Sequence, residues 1–146
     1  MITITETILV DCSLEDVFKF ISNYKNDTKW RGGVIEMHQF PDYNTFVGTT
    51  TIETIKLFGQ KYFISAEVYE YENNKKISFR TTDGLFKVTG CREVNRENGK
   101  TKFTYSLSAE LTGVYKLFSN PIKNSYKKRI MRDLNKLKQI LEAKEN

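Results

Sequence analysis

Few side chains in this chain could carry out chemistry. His38 is the only histidine, which excludes a two-histidine metal site and makes any Ser-His-Asp or Cys-His arrangement depend on that residue alone. It stands between Met37 and Gln39 with no partner motif, and reads as a surface or edge-strand histidine, with an acid/base role as the alternative. Asp133 is the more informative acid. On a helical wheel it falls between Ile122 and Tyr126, inside an apolar stripe, where a carboxylate is costly unless paired. Arg129 four residues before it and Lys136 three after it suit an ion pair at the edge of the stripe. The sharper alternative is a carboxylate that projects into an interior beside Tyr126, bonding a ligand or acting as acid or base on an enolisable substrate. Tyr62 and Tyr105 would add phenol donors. Cys12 and Cys91 are the only cysteines and read as reduced, buried thiols, with Cys12 the more reactive because it precedes a helix start. Gly32-Gly33 closes a helical turn rather than opening a helix after a strand, so it is no phosphate loop.

These groups must be positioned by a mostly β chain closed by one long helix. Ile2, Ile4, Ile8 and Val10 alternate with Thr3, Thr5 and Thr7, predicting a half-buried strand over 2–10. Ser13 caps a helix as a near capping box with Asp16, and Leu14, Val17, Phe18 and Ile21 form its apolar face. A second helical turn spans Tyr24 to Trp30. Strands are then expected over 34–40, 46–57, 60–72, 76–82, 85–96 and 100–111. Asp83-Gly84 and Asn98-Gly99 are the strongest hairpin signals between them.

Such short connections force sequential antiparallel pairing. Parity turns Phe103, Tyr105, Leu107, Ala109 and Leu111 inward, together with Tyr62, Ile64, Ala66, Val68, Ile77, Phe79, Thr81, Phe86 and Val88. It is poor in the second and third strands, where the pattern leans toward Thr50, Ile52 and Thr54 facing in. From Val114 a basic amphipathic helix is expected, its inner stripe formed by Phe118, Ile122, Tyr126, Ile130, Leu134, Leu137, Ile140 and Leu141, with Ala143 to Asn146 fraying. A helix laid over a curved sheet encloses an interior that is either packed or open to a ligand.

At 146 residues with 39% hydrophobic and 28% charged residues, the chain reads as one soluble domain over 1–146 that needs no disulfide, metal or cofactor to form a core. No run is long enough to span a bilayer, and the expected compartment is the cytoplasm. The net charge of +5 is concentrated at the end. From Val114 onward there are nine Lys and Arg against three acids, and the remainder is nearly balanced. A solvated helix face is the plain explanation. Docking on an anionic membrane or an acidic partner is the alternative, and RNA is disfavoured because no exposed aromatics are interleaved with the basic residues.

The order of these features resembles a known family. Asp16-Val17-Phe18-Lys19-Phe20-Ile21, Trp30 before Gly33-Val34, Gly48-Thr49, Val68-Tyr69-Glu70-Tyr71, Ile77-Ser78-Phe79-Arg80-Thr81, Gly99-Lys100-Thr101 and the final helix are similar to the START-like or SRPBCC superfamily, within it the polyketide cyclase/dehydrase and lipid-transport group. The resemblance covers essentially the whole chain. It implies an α+β helix-grip fold, a seven-stranded antiparallel sheet wrapped around the C-terminal helix, with two short helices between strands 1 and 2. It also implies a cavity for a lipid, polyketide-like or isoprenoid molecule. No shared catalytic motif comes with it, so no catalytic residue is carried over, and Asp133 and His38 remain the candidates.

The expected cavity wall is Trp30, Ile52, Tyr62, Ile64, Phe79, Phe86, Val88, Phe103, Tyr105, Leu107, Phe118, Ile122, Tyr126 and Ile130. Three functions stay open. The leading one is non-enzymatic binding of a hydrophobic or aromatic small molecule by a monomer or weak dimer. The others are a cyclase or dehydratase with a cavity acid/base, and an interaction protein that docks through its basic helix.

Overall fold

Alternation builds the first element. In the computed structural model, which describes residues 1–144, β1 (Ile2–Val10) buries Ile2, Ile4 and Val10 and exposes Thr3, Thr5 and Thr7. Ser13 then accepts the Asp16 N–H at 3.2 Å and starts α1 (Leu14–Ser22), which buries Val17, Phe18, Phe20 and Ile21. A 3-10 turn (Tyr24–Asn26) and the one-turn α2 (Asp27–Trp30) follow. The buried Gln39 fixes this region: its Oε1 accepts the Tyr24 N–H, and its Nε2 donates to Thr45 Oγ1 and to the Pro41 and Asn44 carbonyls.

Six more strands follow: β2 (Val34–Phe40), β3 (Thr50–Leu57), β4 (Gln60–Glu72), β5 (Lys76–Asp83), β6 (Lys87–Glu97) and β7 (Lys100–Glu110). With β1 they form one antiparallel sheet in the order β1-β7-β6-β5-β4-β3-β2. Register shifts at Val34/Glu36, Ser65/Ala66 and Val68/Glu70 mark the bulges that let it curve. β3 begins at Thr50 rather than Phe46 because Thr49 folds back, its N–H donating to the Phe46 carbonyl and its Oγ1 accepting the Phe46 N–H. β6 begins at Lys87 rather than Leu85 because Thr81 Oγ1 takes the Val88 N–H and bonds the Phe86 carbonyl, closing the loop off from the ladder.

Two sequence expectations are corrected. Along β3 it is Thr51 and Ile55 that are buried, whereas Ile52 is 41% exposed on the outer face and Thr50 is exposed. The inward position between Thr51 and Ile55 is Glu53, which is paired to Arg31, so hydrophobic alternation is broken by an ion pair from another element. The C-terminal helix α3 (Ser119–Lys144) starts five residues later than expected, after a 3-10 segment (Gly113–Phe118). A 3-10 segment turns about 120° per residue instead of about 100°. Wheel phase is therefore not carried through it, and Phe118 is 53% exposed. Beyond that point Ile130, Leu134, Leu137 and Leu141 are buried, with α3 packed on β1. The helix continues through Ala143 and Lys144, while Glu145 and Asn146, the rest of the segment expected to fray, lie outside the described residues.

Candidate functional site

Between sheet and α3 lies a cavity of about 120 Å³, lined mainly by apolar side chains. An apolar cavity of about 150 Å³ accommodates one benzene ring, so the space suits a body of roughly that size. It reaches solvent where three segments meet. Phe58 at the β3–β4 turn stacks on Tyr115 of the 3-10 segment with centroids 5.6 Å apart, and Phe86 of the β5–β6 loop meets the same ring edge-on at 5.1 Å. Phe58 and Phe86 line the cavity, and Phe58 is 53% exposed. Phe58 has a φ of 52° and the following Gly59 a φ of 77°, the paired left-handed conformation of a tight hairpin. A bulky residue is rarely held there; here it places the ring at the cavity mouth.

Another part of the surroundings is ionic. Asp27, with no exposed surface, receives two hydrogen bonds from Arg92, Nη1 to Oδ1 at 3.0 Å and Nη2 to Oδ2 at 2.6 Å. Arg92 Nη1 also donates to the Ile21 carbonyl. Arg31 bridges two carboxylates, Asp27 at 3.0 Å and Glu53 at 2.9 Å. The Arg92 guanidinium lies 4.4 Å from the Tyr24 ring centroid, 5.2 Å from Trp30 and 5.4 Å from Tyr105, within cation–π range of all three. Burial opposes the charge on both arginines. Asp27, Tyr105 and Tyr24 around Arg92, and Glu53, Tyr105 and Asp27 around Arg31, outweigh it and raise both pKa values. Burial also raises the phenols of Tyr24 and Tyr126, so both remain protonated through the neutral range. Tyr24, Arg31, Glu53, Arg92, Tyr105 and Tyr126 all border the cavity.

Of the expected wall, Ile64, Phe79, Phe86, Val88, Tyr105, Leu107, Ile122 and Tyr126 line the cavity. The remaining expected residues do not. Trp30, Phe103 and Ile130 belong to the packed core. Trp30 meets Phe103 and Tyr105 edge-on at 6.2 and 5.7 Å, and so anchors α2 to the sheet rather than shaping the mouth. Tyr62 is hydrogen-bonded to Tyr115, and its pKa is raised by desolvation and then by that neighbour. Ile52 and Phe118 face solvent for the reasons given above. His38 is exposed on the outer side, with Nε2 3.6 Å from Glu36. Both cysteines are half-buried thiols, and burial pushes the Cys91 thiol up. Among the described residues no group of three His, Cys, Asp or Glu is placed to hold a metal ion.

Asp133 takes neither of the roles expected of it. Its Oδ1 accepts the Gly32 N–H at 2.9 Å, and Arg129 packs over Gly33 and donates to the Lys56 carbonyl. Gly33 has a φ of 92°, a conformation that residues with a side chain rarely adopt, which favours glycine there. Helix α3 thus clamps the turn that follows Arg31. Asp133 is a positioning residue.

Burial raises its pKa, against the opposing pull of the Gly32 N–H and then Arg31 and Arg129. An acid with a raised folded-state pKa favours the fold at low pH, and that contribution is lost as pH rises through the folded value. Asp133→Asn keeps an acceptor for Gly32 and removes the titration. In urea unfolding this variant should gain stability relative to the parent between pH 4 and pH 7. A loss of more than about 1 kcal/mol at pH 7 would show that the ionised carboxylate is required.

The other basic residues of α3 are partly committed to the sheet. Lys138 donates to the Leu9 carbonyl and to Glu142 at 2.8 Å, and Lys127 lies 3.5 Å from Glu6. Among the described residues no helix is long and apolar enough to cross a membrane.

Residues 1–142 match the family model described as polyketide cyclase / dehydrase and lipid transport. The chain belongs to this family. Solved structures similar to this polyketide cyclase/dehydrase family member share its START-like helix-grip fold at low identity. TTHA0849 from Thermus thermophilus is 15% identical with a TM-score of 0.85, with 99% of each chain covered. A START superfamily protein from Mycobacterium smegmatis is 14% identical with a TM-score of 0.77, covering 98% of this chain and 99% of that one. The Zhui aromatase/cyclase from Streptomyces sp. R1128 is 8% identical with a TM-score of 0.78, covering 99% and 95%. No curated protein matches the sequence. At these identities the likeness establishes the fold and leaves activity to be argued from the site.

Proposed function

We propose that this family member is a non-enzymatic binding protein for a small, predominantly apolar or aromatic molecule held between the sheet and α3. The observation that carries the proposal is the cavity itself: an apolar chamber with a mouth of aromatic rings and one polar wall. Affinity comes from removing apolar surface from water, and the polar wall sets orientation. Arg31, Asp27, Glu53 and Arg92 bond one another, and the wall is built before any ligand arrives.

Single-ring compounds tested by ligand-observed NMR and thermal shift should bind saturably. Ala109→Phe, which places a ring in the chamber from β7, should abolish binding while leaving the circular-dichroism spectrum unchanged. Equal binding to the parent and to Ala109→Phe would place the ligand elsewhere.

One observation favours cyclase or dehydratase chemistry as a second reading. Glu53 and three phenols, Tyr24, Tyr105 and Tyr126, border the same cavity. However, the Glu53 carboxylate is already engaged by Arg31 at 2.9 Å. Turnover of an enolisable aromatic ketone that is lost in Glu53→Gln would establish the enzymatic reading.

A further inference from the structure

Exposed apolar side chains gather at the cavity mouth. Val114, Leu117 and Phe118 of the 3-10 segment are 60%, 80% and 53% exposed, and Phe58, stacked on Tyr115 of the same segment, is exposed beside them. A 3-10 segment repeats every three residues. Tyr115 is held at the mouth by Phe58 and Phe86, and Val114 with Leu117 forms a separate ridge that faces solvent. Single exposed apolar residues are ordinary, but four large ones on two adjoining segments mark a contact surface. Phe58 adds a second signal. Its φ of 52° is a conformation that a bulky side chain rarely holds, and such outliers cluster where the fold serves a function.

Charge decides what the surface contacts. Lys56 and Lys61 stand directly opposite each other at the end of the β3–β4 hairpin, on either side of Phe58, and both are exposed. Like charges opposed across a ladder are destabilising. Lys116 lies within the 3-10 segment, and Lys123 borders the cavity from the start of α3. Lysines elsewhere find acids, as Lys76 does Glu70 at 3.1 Å and Lys127 does Glu6 at 3.5 Å. Among the described residues none of the four lysines at the rim forms an ion pair. Asp83 and Glu110 line a separate groove, which they share with Arg80 and Lys87. The rim is therefore apolar at its tips and positively charged around them.

We propose that this rim is a docking surface for an anionic lipid bilayer. Phe58, Val114, Leu117 and Phe118 enter the interface, and the four lysines meet the headgroup phosphates with their stems along the apolar boundary. The apolar tips project from a turn and a short 3-10 segment. A protein partner would have to supply a pocket shaped to each tip, whereas the fluid boundary of a bilayer accepts them in any arrangement and favours aromatic rings. The surface is distinct from the basic face of α3, where Lys127 and Lys138 are committed to Glu6, Glu142 and the Leu9 carbonyl. Docked in this way, the chain turns the opening of its cavity toward the acyl chains. The docking itself does not depend on what the cavity holds.

The test is co-sedimentation of the full chain with phosphatidylcholine vesicles, with and without about 30% phosphatidylglycerol. The protein should bind the anionic vesicles at least about tenfold more tightly than the neutral ones, and should be released at about 1 M salt, where the Debye length is about 3 Å. Each lysine at an anionic surface is worth about fivefold in partitioning, so Lys56→Glu with Lys61→Glu should lower it by at least about tenfold. Leu117→Ser with Phe118→Ser should lower it as much, with Tm within about 2 °C of the parent because both side chains already face solvent. Leu117→Trp should shift its emission to the blue on anionic vesicles, and Tyr69→Trp, toward the far end of β4, should not. Equal binding to both vesicles, or no loss in the Leu117 and Phe118 variant, overturns the proposal. So does soluble poly-glutamate binding as tightly as the vesicles, which would show a surface for an acidic chain. Absence of vesicle binding also overturns it, and leaves the binding reading of the cavity standing.

Discussion

Arg92→Met should cost about 3–5 kcal/mol of folding stability, the scale for breaking a buried ion pair by removing one partner. At about 2–4 °C per kcal/mol for a chain of this size, Tm should fall by roughly 6–20 °C. The loss is large because methionine fills much of the space but leaves Asp27 with only its bond from Arg31, and leaves the Ile21 carbonyl without the guanidinium donor. Both partners are wholly buried, so solvent screening does not soften the effect. The double variant Asp27→Asn with Arg92→Met separates the pair from its surroundings. With no carboxylate at position 27, Arg31 retains Glu53 as its ionic partner, and the double variant should recover much of what the single one loses. Urea unfolding of the four proteins of the cycle gives the coupling directly. A single-variant loss below about 1 kcal/mol would mean that Arg31 alone satisfies Asp27.

Gly90→Ala is the second large effect, and it acts on stability and on the cavity together. A Cβ at position 90 would lie 2.3 Å from Phe79 Cε1 and 2.8 Å from Leu107 Cδ2. Gly90 is thus the notch in β6 that seats the Phe79 ring. Phe79 in turn meets Tyr24 edge-on at 6.3 Å, and both line the cavity. The ring has to move, and overpacking of this kind costs about 1–3 kcal/mol. The Tyr24 hydroxyl moves with its support. Gly90→Ala should therefore weaken single-ring binding at least tenfold at a temperature where the variant is fully folded. Unchanged affinity in a folded variant would mean that Phe79 and Tyr24 do not shape the ligand site.

The elements were largely legible because most strands obey period-2 alternation and their turns carry strong local chemistry. In β7, Phe103, Tyr105 and Leu107 are buried and every residue between them is less so. The site was harder to read, because its defining groups violate the rule that reveals strands. Glu53 occupies an inward strand position, and its partner Arg31 lies on a different element, so hydrophobic parity turned β3 the wrong way. Arg92 was within reach of the same rule. It follows Val88 and Gly90 at even spacing, and continuing that parity one step places an arginine in the interior. Asp27 gave no signal: a charged residue in a four-residue helix looks like surface until Arg92 is seen to cover it. For Asp133, the wheel correctly placed a carboxylate on the buried stripe but could not show that its partner is the backbone N–H of Gly32, because that contact spans 101 residues.

The sheet order has a consequence for how the chain reaches this state. Each of β2 to β7 pairs with its neighbour in sequence, so that meander is built from hairpins local in the chain. The first strand is different. Its partner in the sheet is β7, with Ile2 opposite Ala109. Closing so long a segment carries an entropic cost that local hairpins avoid. Until the last strand has emerged, Ile2, Ile4, Ile8 and Val10 have no strand beside them. The strand made before the other six is completed only by the one made after them, and without that pairing the cavity lacks the part of its wall that Ile2 and Ile4 supply.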